Sequence, residues 1–211
     1  MKYEYKKEEK ELYGVKDRPQ VVDIPKQKFI CIKGIGNPNS EMFAKHIEVL
    51  YQLSYTIKMM PRNGFTPNGY FEYTVYPLEG VWSLTEKGIK LQQEKGILDK
   101  DEFTYTLMIK QPSFVDKIIF DKALERANIK KPNKLLSEAF YEEVEEGLSL
   151  QILHNGSYDT EPESFQKMNN YLSDNNYERN GFIHKEIYLS DARKVVVDKL
   201  KTILRIKIKK R

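Results

Sequence analysis

Three side chains with chemical reach alternate near the C-terminal end of the chain: His184, Glu186 and Tyr188. Residues two apart share a face in an extended strand, so an imidazole, a carboxylate and a phenol stand in one row. Ile183, Ile187 and Leu189 fall on the other side and read as core. A second stretch, Tyr70 to Leu78, puts Tyr70, Glu72, Thr74 and Tyr76 on one side, with Trp82 just beyond. Tyr105 and Tyr141 lie in or beside neighbouring strands. On an arbitrary strand such alternation describes a solvated surface. Here the carboxylate keeps company with several rings, which is how a protein holds a flat, electron-poor or cationic organic molecule, by stacking plus a charge.

Other chemistries find less support. His46, His154 and His184 lack ligand spacing, so no metal centre is expected. Gly34-Ile35-Gly36 follows a strand and precedes a helix, but the third glycine of a dinucleotide fingerprint is missing, and no cofactor is expected. Cys31 is alone, which removes any disulfide framework and fits a reducing cytosol, so the chain is expected to be cytoplasmic. There is no G-x-S-x-G nucleophile elbow. The 35 basic and 31 acidic residues are interspersed, and only Lys207, Lys209, Lys210 and Arg211 cluster. That is a solvated strand end rather than a nucleic-acid footprint, so no direct nucleic-acid binding is expected. No apolar run approaches the ~18 residues needed to cross a bilayer, and the charged N-terminus is no secretory signal.

These residues must be positioned by a fold, and the periodicities outline one. Lys28 to Gly36 reads as a strand, and Ser40 caps a helix running to about Met59 with Phe43, Ile47, Leu50 and Ile57 on one face. Strands are expected at Tyr70–Leu78 and Phe103–Gln111, with a charged insert-like segment between Trp82 and Asp101 that would roof a cleft. Ser113 and Asp116 suggest a capping box for a second amphipathic helix, and 128–133 reads as a loop. Leu148, Leu150 and Ile152 then alternate up to His154, a helix capped by Thr160 and Glu163 follows, and strands at Phe182–Ser190 and Thr202–Ile208 close the chain. The order is β-α-β-β twice. The fold class is therefore α+β, two half-units pairing into one antiparallel sheet with helices on one face and a ligand cleft on the other. Residues 1–17 read as a flexible charged lead-in or one docked turn, and 18–211 as one domain with halves of about 18–111 and 112–211.

The run His154-Asn155-Gly156-Ser157-Tyr158-Asp159-Thr160-Glu161-Pro162, followed across a helix by His184-Lys185-Glu186-Ile187-Tyr188-Leu189-Ser190-Asp191, closely resembles the signature of the GyrI-like small-molecule-binding family. The resemblance implies a cleft for varied organic molecules, with the central acid at Glu186 and pocket aromatics at Trp82, Tyr70, Tyr76, Tyr141 and Tyr188. Stand-alone members of similar size hydrolyse cyclopropane-containing alkylating natural products. In such a reaction Glu186 would orient or deprotonate water, and Tyr141 or Tyr188 would donate to the developing phenolate. Other members sense drugs or inhibit DNA gyrase. The roughly 25 residues before the first strand are too few for a helix-turn-helix domain. The reading is an enzyme or a drug-sequestering protein whose partner is a small molecule.

Overall fold

The computed structural model describes residues 2–211. In chain order the first elements are α1 (Tyr5–Glu8), α2 (Lys10–Tyr13), β1 (Gln20–Ile24), β2 (Gln27–Ile35), α3 (Glu41–Lys58), β3 (Leu78–Leu84) and α4 (Glu86–Lys95). They are followed by β4 (Phe103–Gln111), α5 (Lys117–Lys130), β5 (Phe140–Val144), β6 (Gly147–Asn155), α6 (Glu161–Asp174), β7 (Tyr177–Tyr188) and β8 (Lys201–Lys210). Within the two halves the strands pair antiparallel in the orders β1-β6-β8-β7 and β3-β4-β2-β5. The α+β class and the β-α-β-β repeat expected from the periodicities are both present. Two compact units divide the chain, Gln27–Val144 with Tyr3, and Glu4–Lys26 with Glu145–Arg211.

In the first unit β2 is buried through Phe29, Ile30, Cys31 and Ile32, because it lies between β4 and β5 and has no open edge. Phe29 and Cys31 join Met108 on one face, with Val81, Phe140 and Val144 packed against them. Ser40 caps α3 by accepting a bond from the Phe43 N–H, and α3 buries Phe43, His46, Val49, Leu50, Leu53 and Ile57. Asp116 itself caps α5 by accepting from Ile119, so the helix starts later than a cap at Ser113 would place it and runs through the first residues of the expected loop. The charged segment after Trp82 contains α4, capped by Thr85.

The strand expected at Tyr70–Leu78 does not form. From Tyr70 to Pro77 the chain is extended with a single bridge, Tyr3 to Tyr73, and β3 begins only at Leu78. Aromatic alternation was present there, but Tyr70, Phe71 and Tyr73 pack around Phe114 instead of pairing in a ladder. Trp82 thus lies within a strand and not beyond one.

In the second unit Leu150 and Ile152 of β6, Leu204, Ile206 and Ile208 of β8, and Met168 and Leu172 of α6 form one apolar cluster. Each such side chain stabilises by roughly 1.5–3 kcal/mol when fully buried. The charged N-terminal segment is docked: Tyr5 and Tyr13 are buried with ring centroids 4.8 Å apart, and β1 pairs with β6. Charge-rich composition concealed those two anchoring rings.

Candidate functional site

The register of β7 on β8 settles which way the alternating row points. Glu186 pairs with Leu204, His184 with Ile206 and Tyr188 with Thr202. Paired residues of neighbouring antiparallel strands share a face, and Leu204 and Ile206 are the residues that pack on α6. His184, Glu186 and Tyr188 therefore stand on the helix side of this unit, near the N-terminal end of α6. The row expected from alternation is present, but its assignment to the side away from the helix is corrected. The other side carries Lys185, Ile187, Ile203 and Arg205, and the backbone carbonyls of Glu11 and Leu12 accept bonds there from Gln151 and Arg205.

Glu186 is 8% exposed and each of its oxygens has a partner. The Tyr188 hydroxyl donates to Oε2 at 2.7 Å, and His184 Nε2 donates to Oε1 at 3.0 Å. No lysine or arginine pairs with this carboxyl among the described residues. Lys185, next in sequence, points the opposite way and is spent with Arg205 on Glu146, at 2.7 and 3.4 Å. Burial works to raise the Glu146 carboxyl, but Lys185 and Arg205 outweigh it and hold the group below the usual range.

Rings border the carboxylate. Phe165 of α6 meets His184 edge-on at 5.1 Å, with the Arg179 guanidinium 6.0 Å from the same ring, and Tyr158 meets Tyr188 edge-on at 6.1 Å. Burial, with help from Glu186, pushes the Tyr158 hydroxyl up to about 12, so it stays a donor.

Glu161, the first residue of α6, completes the group. It is 7% exposed, and its Oε1 is buried without a hydrogen-bond partner. One donor atom from each of Glu161, His184 and Glu186 lies within 4.8 Å of the others. Burial first, and then the charges of Glu186 and Asp159, push the Glu161 carboxyl up to about 9. The helix N-terminus favours an anion there, typically by 0.3–1 kcal/mol, which is small beside a shift of that size. Two carboxylates and an imidazole are a plausible metal donor set. Here Glu186 already accepts from Tyr188 and His184, whereas Glu161 Oε1 has no hydrogen-bond partner.

His154, in the same signature, serves the scaffold. Its Nε2–H points at the Ser157 carbonyl at 2.8 Å, which fixes the tautomer, and Nδ1 then accepts from the Ser164 hydroxyl at 2.9 Å. Thr160 donates its hydroxyl to the same carbonyl and makes no side-chain cap, contrary to the expected capping box. Gly156, at φ +115°, supplies the left-handed turn. This knot holds Tyr158 and Glu161 in place.

The remaining predicted residues lie in the first unit. Trp82 and Tyr105 are buried with centroids 5.7 Å apart, and Phe43 of α3 stacks on Trp82 at 5.7 Å. The Tyr105 hydroxyl bonds His46 Nδ1 at 3.2 Å; burial lowers the His46 pKa, with Glu138 opposing. Tyr70 donates to the Lys58 carbonyl at 3.2 Å, and Tyr76 is buried with the Lys110 ammonium 5.0 Å from its ring centroid. Tyr141 donates to Glu143 at 2.9 Å, and burial and that bond raise its pKa. A surface depression of about 600 Å³ beside α4 is lined by Lys87, Lys90, Lys95, Glu86, Glu94 and Glu102 among others, solvated charges without converging rings. Sequence reasoning overlooked Glu161. Its signal was a third acid, immediately before Pro162, inside a signature already singled out.

Residues 18–209 match the family described as GyrI-like small molecule binding domain. A crystal structure of a hydrolase from Listeria innocua is 31% identical, covers 99% of this chain and 100% of its own, and superposes with a TM-score of 0.89. A second Listeria innocua structure, an uncharacterized conserved protein, is 32% identical over 99% of this chain and 100% of its own, with a TM-score of 0.90. The EcmrR C-terminal domain shares the fold at 11% identity and a TM-score of 0.52, over 92% of this chain and 98% of its own. No curated protein matches. No helix among the described residues is long and apolar enough to cross a membrane. The chain belongs to the GyrI-like small-molecule-binding family.

Proposed function

We propose that this protein binds planar or cationic organic molecules at Glu186 and detoxifies cyclopropane-containing alkylators by hydrolytic ring opening. The observation that carries the reading is a buried carboxylate bonded only by a phenol and an imidazole, with rings beside it and no lysine or arginine partner among the described residues. A charge left uncompensated inside a protein is costly, and a site of this kind is stabilised by an incoming cation or used on a bound water. The similarity to a Listeria innocua hydrolase at 31% identity supports hydrolysis over storage.

The chemistry asks for little. In a spirocyclopropane fused to a dienone, water adds to the cyclopropane CH₂, a ring C–C bond breaks, and its electrons run to the carbonyl oxygen as the six-membered ring becomes aromatic. Glu186 takes the proton that the water loses, and the new phenolate takes one from solvent or a nearby donor. Tyr188 and His184 orient the carboxylate, and Tyr158, whose hydroxyl has no hydrogen-bond partner among the described residues, offers an O–H to the substrate.

The competing reading is sequestration, with Glu186 as counter-charge only. Incubating the protein with a several-fold excess of a spirocyclopropyl dienone separates the two. Hydrated product exceeding one equivalent of protein supports hydrolysis, whereas loss of free compound that stops at one equivalent, without product, supports sequestration.

A further inference from the structure

We propose that Glu161 is a second carboxyl of this site: it shares one proton with Glu186, and an organic cation that enters displaces that proton. The inference rests on the reading that Glu186 faces the ligand.

Four observations carry it. Glu161 is 7% exposed, and its Oε1 is buried with no hydrogen-bond partner. It belongs to one group with Glu186, whose two oxygens are both taken, by Tyr188 and His184. One atom each of Glu161, His184 and Glu186 falls within 4.8 Å of the others, close enough that a charge on either carboxyl disfavours a charge on the other. Finally, the His154–Ser157–Thr160 knot fixes the turn before α6, which carries Glu161 as its first residue.

The groups facing Glu161 make two negative charges untenable. From β7 come Glu186 and His184, with Tyr188 bonded to Glu186, and from the turn come Tyr158 and Asp159. Among these only histidine can become cationic, and His184 Nε2 is directed at Glu186. Two carboxyls in such a space keep one proton between them. The resting site is therefore a monoanion, and it becomes a dianion when a positive ligand supplies the missing charge. A neutral planar ligand leaves the proton in place. Affinity for organic cations should then rise with pH across the range in which the pair would otherwise hold its proton, while affinity for neutral aromatics stays flat.

The first test uses the protein without ligand. Carbon-13 NMR of glutamate-labelled protein should show one carboxyl titrating well above all the others, toward pH 9. That resonance should vanish in Glu161→Gln, and in Glu186→Gln its midpoint should fall. If every carboxyl in the wild type titrates in the ordinary range, the shared proton is disproved. The second test is calorimetry with ethidium, a flat aromatic cation, in two buffers of different ionisation enthalpy at about pH 7.5. The expectation is release of about one proton per ethidium bound by the wild type and none by Glu161→Gln. Saturable binding without release overturns the displacement. If ethidium fails to bind at all while the high-pH carboxyl is present, the ligand assignment of Glu186 fails and the proton-sharing pair stands.

Discussion

The two half-units use one backbone plan for opposite purposes. Gly36, at φ +116°, gives its N–H to the Phe103 carbonyl, as Gly156, at φ +115°, does to Leu200. The pairing then aligns Gly34 with His154, Tyr105 with Thr202, Trp82 with Tyr188, and Gly80 with Glu186. Glu41 opens α3 as Glu161 opens α6. Glu41 has 82% of its side chain exposed and pairs with Lys45 at 2.8 Å, whereas Glu161 is buried beside a second carboxyl. In the first unit rings fill the space at the start of the helix; in the second, polar groups occupy it. A duplicated frame thus yields one half built for packing and one half carrying the charge. The difference lies in four or five side chains, not in the path of the chain.

Substitutions at equivalent positions should separate the two halves. The largest contrast in stability is expected between Glu161→Gln and Glu41→Gln. A carboxyl whose folded pKa is raised keeps its proton while the unfolded chain gives its own up. Wild-type stability should therefore fall as pH rises from the ordinary carboxylate range toward about 9, by at most ~1.4 kcal/mol per pH unit. Glu161→Gln should remove that slope, melting several degrees above the wild type at pH ~8 and level with it at pH ~4. Glu41→Gln should change neither, and equal pH profiles for the two variants would break the comparison. Next in size is His154→Ala, which strands the buried Ser164 hydroxyl and takes one of its donors from the Ser157 carbonyl; urea unfolding should show a loss of about 3 kcal/mol. At the matching position Gly34→Ala should cost about 2 kcal/mol for the opposite reason, because a Cβ there would lie 2.3 Å from Tyr105 Cζ. A Gly34→Ala protein as stable as the wild type would mean that Tyr105 can leave its place over the strand. The smallest effect belongs to the caps: Ser40→Ala should lose about 1 kcal/mol by removing the acceptor for Phe43 N–H, and Thr160→Ala should act instead through the Ser157 carbonyl.

Much of this was legible in the chain. β2, β4, β6 and β8, with α3 and α6, follow from apolar period and cap chemistry, because local pattern and tertiary burial agree there. The row that places Glu186 between His184 and Tyr188 was legible from alternation and from the signature that contains it. Tyr70–Pro77 misled because aromatic alternation is equally compatible with rings packing around Phe114. β1 and β5 were hidden because neither shows a clean period, and each is made a strand by the neighbour it pairs with, β6 and β2. The face of Glu186 could not be read, since alternation fixes which residues share a side but not which side the helix covers. Glu161 was obscured by its position: an acid in a first helical turn reads as a dipole partner in water, and only the approach of β7 converts it into a buried group.

The central claim is that Glu186 acts on a bound molecule. The most direct measurement is the number of turnovers of a spirocyclopropyl dienone by wild type and Glu186→Gln, read as hydrated product over time under substrate excess. The account predicts repeated turnover by the wild type and a loss of about 100-fold or more in the variant, which keeps the hydrogen-bonding shape but cannot take a proton. Undiminished turnover by Glu186→Gln would contradict it.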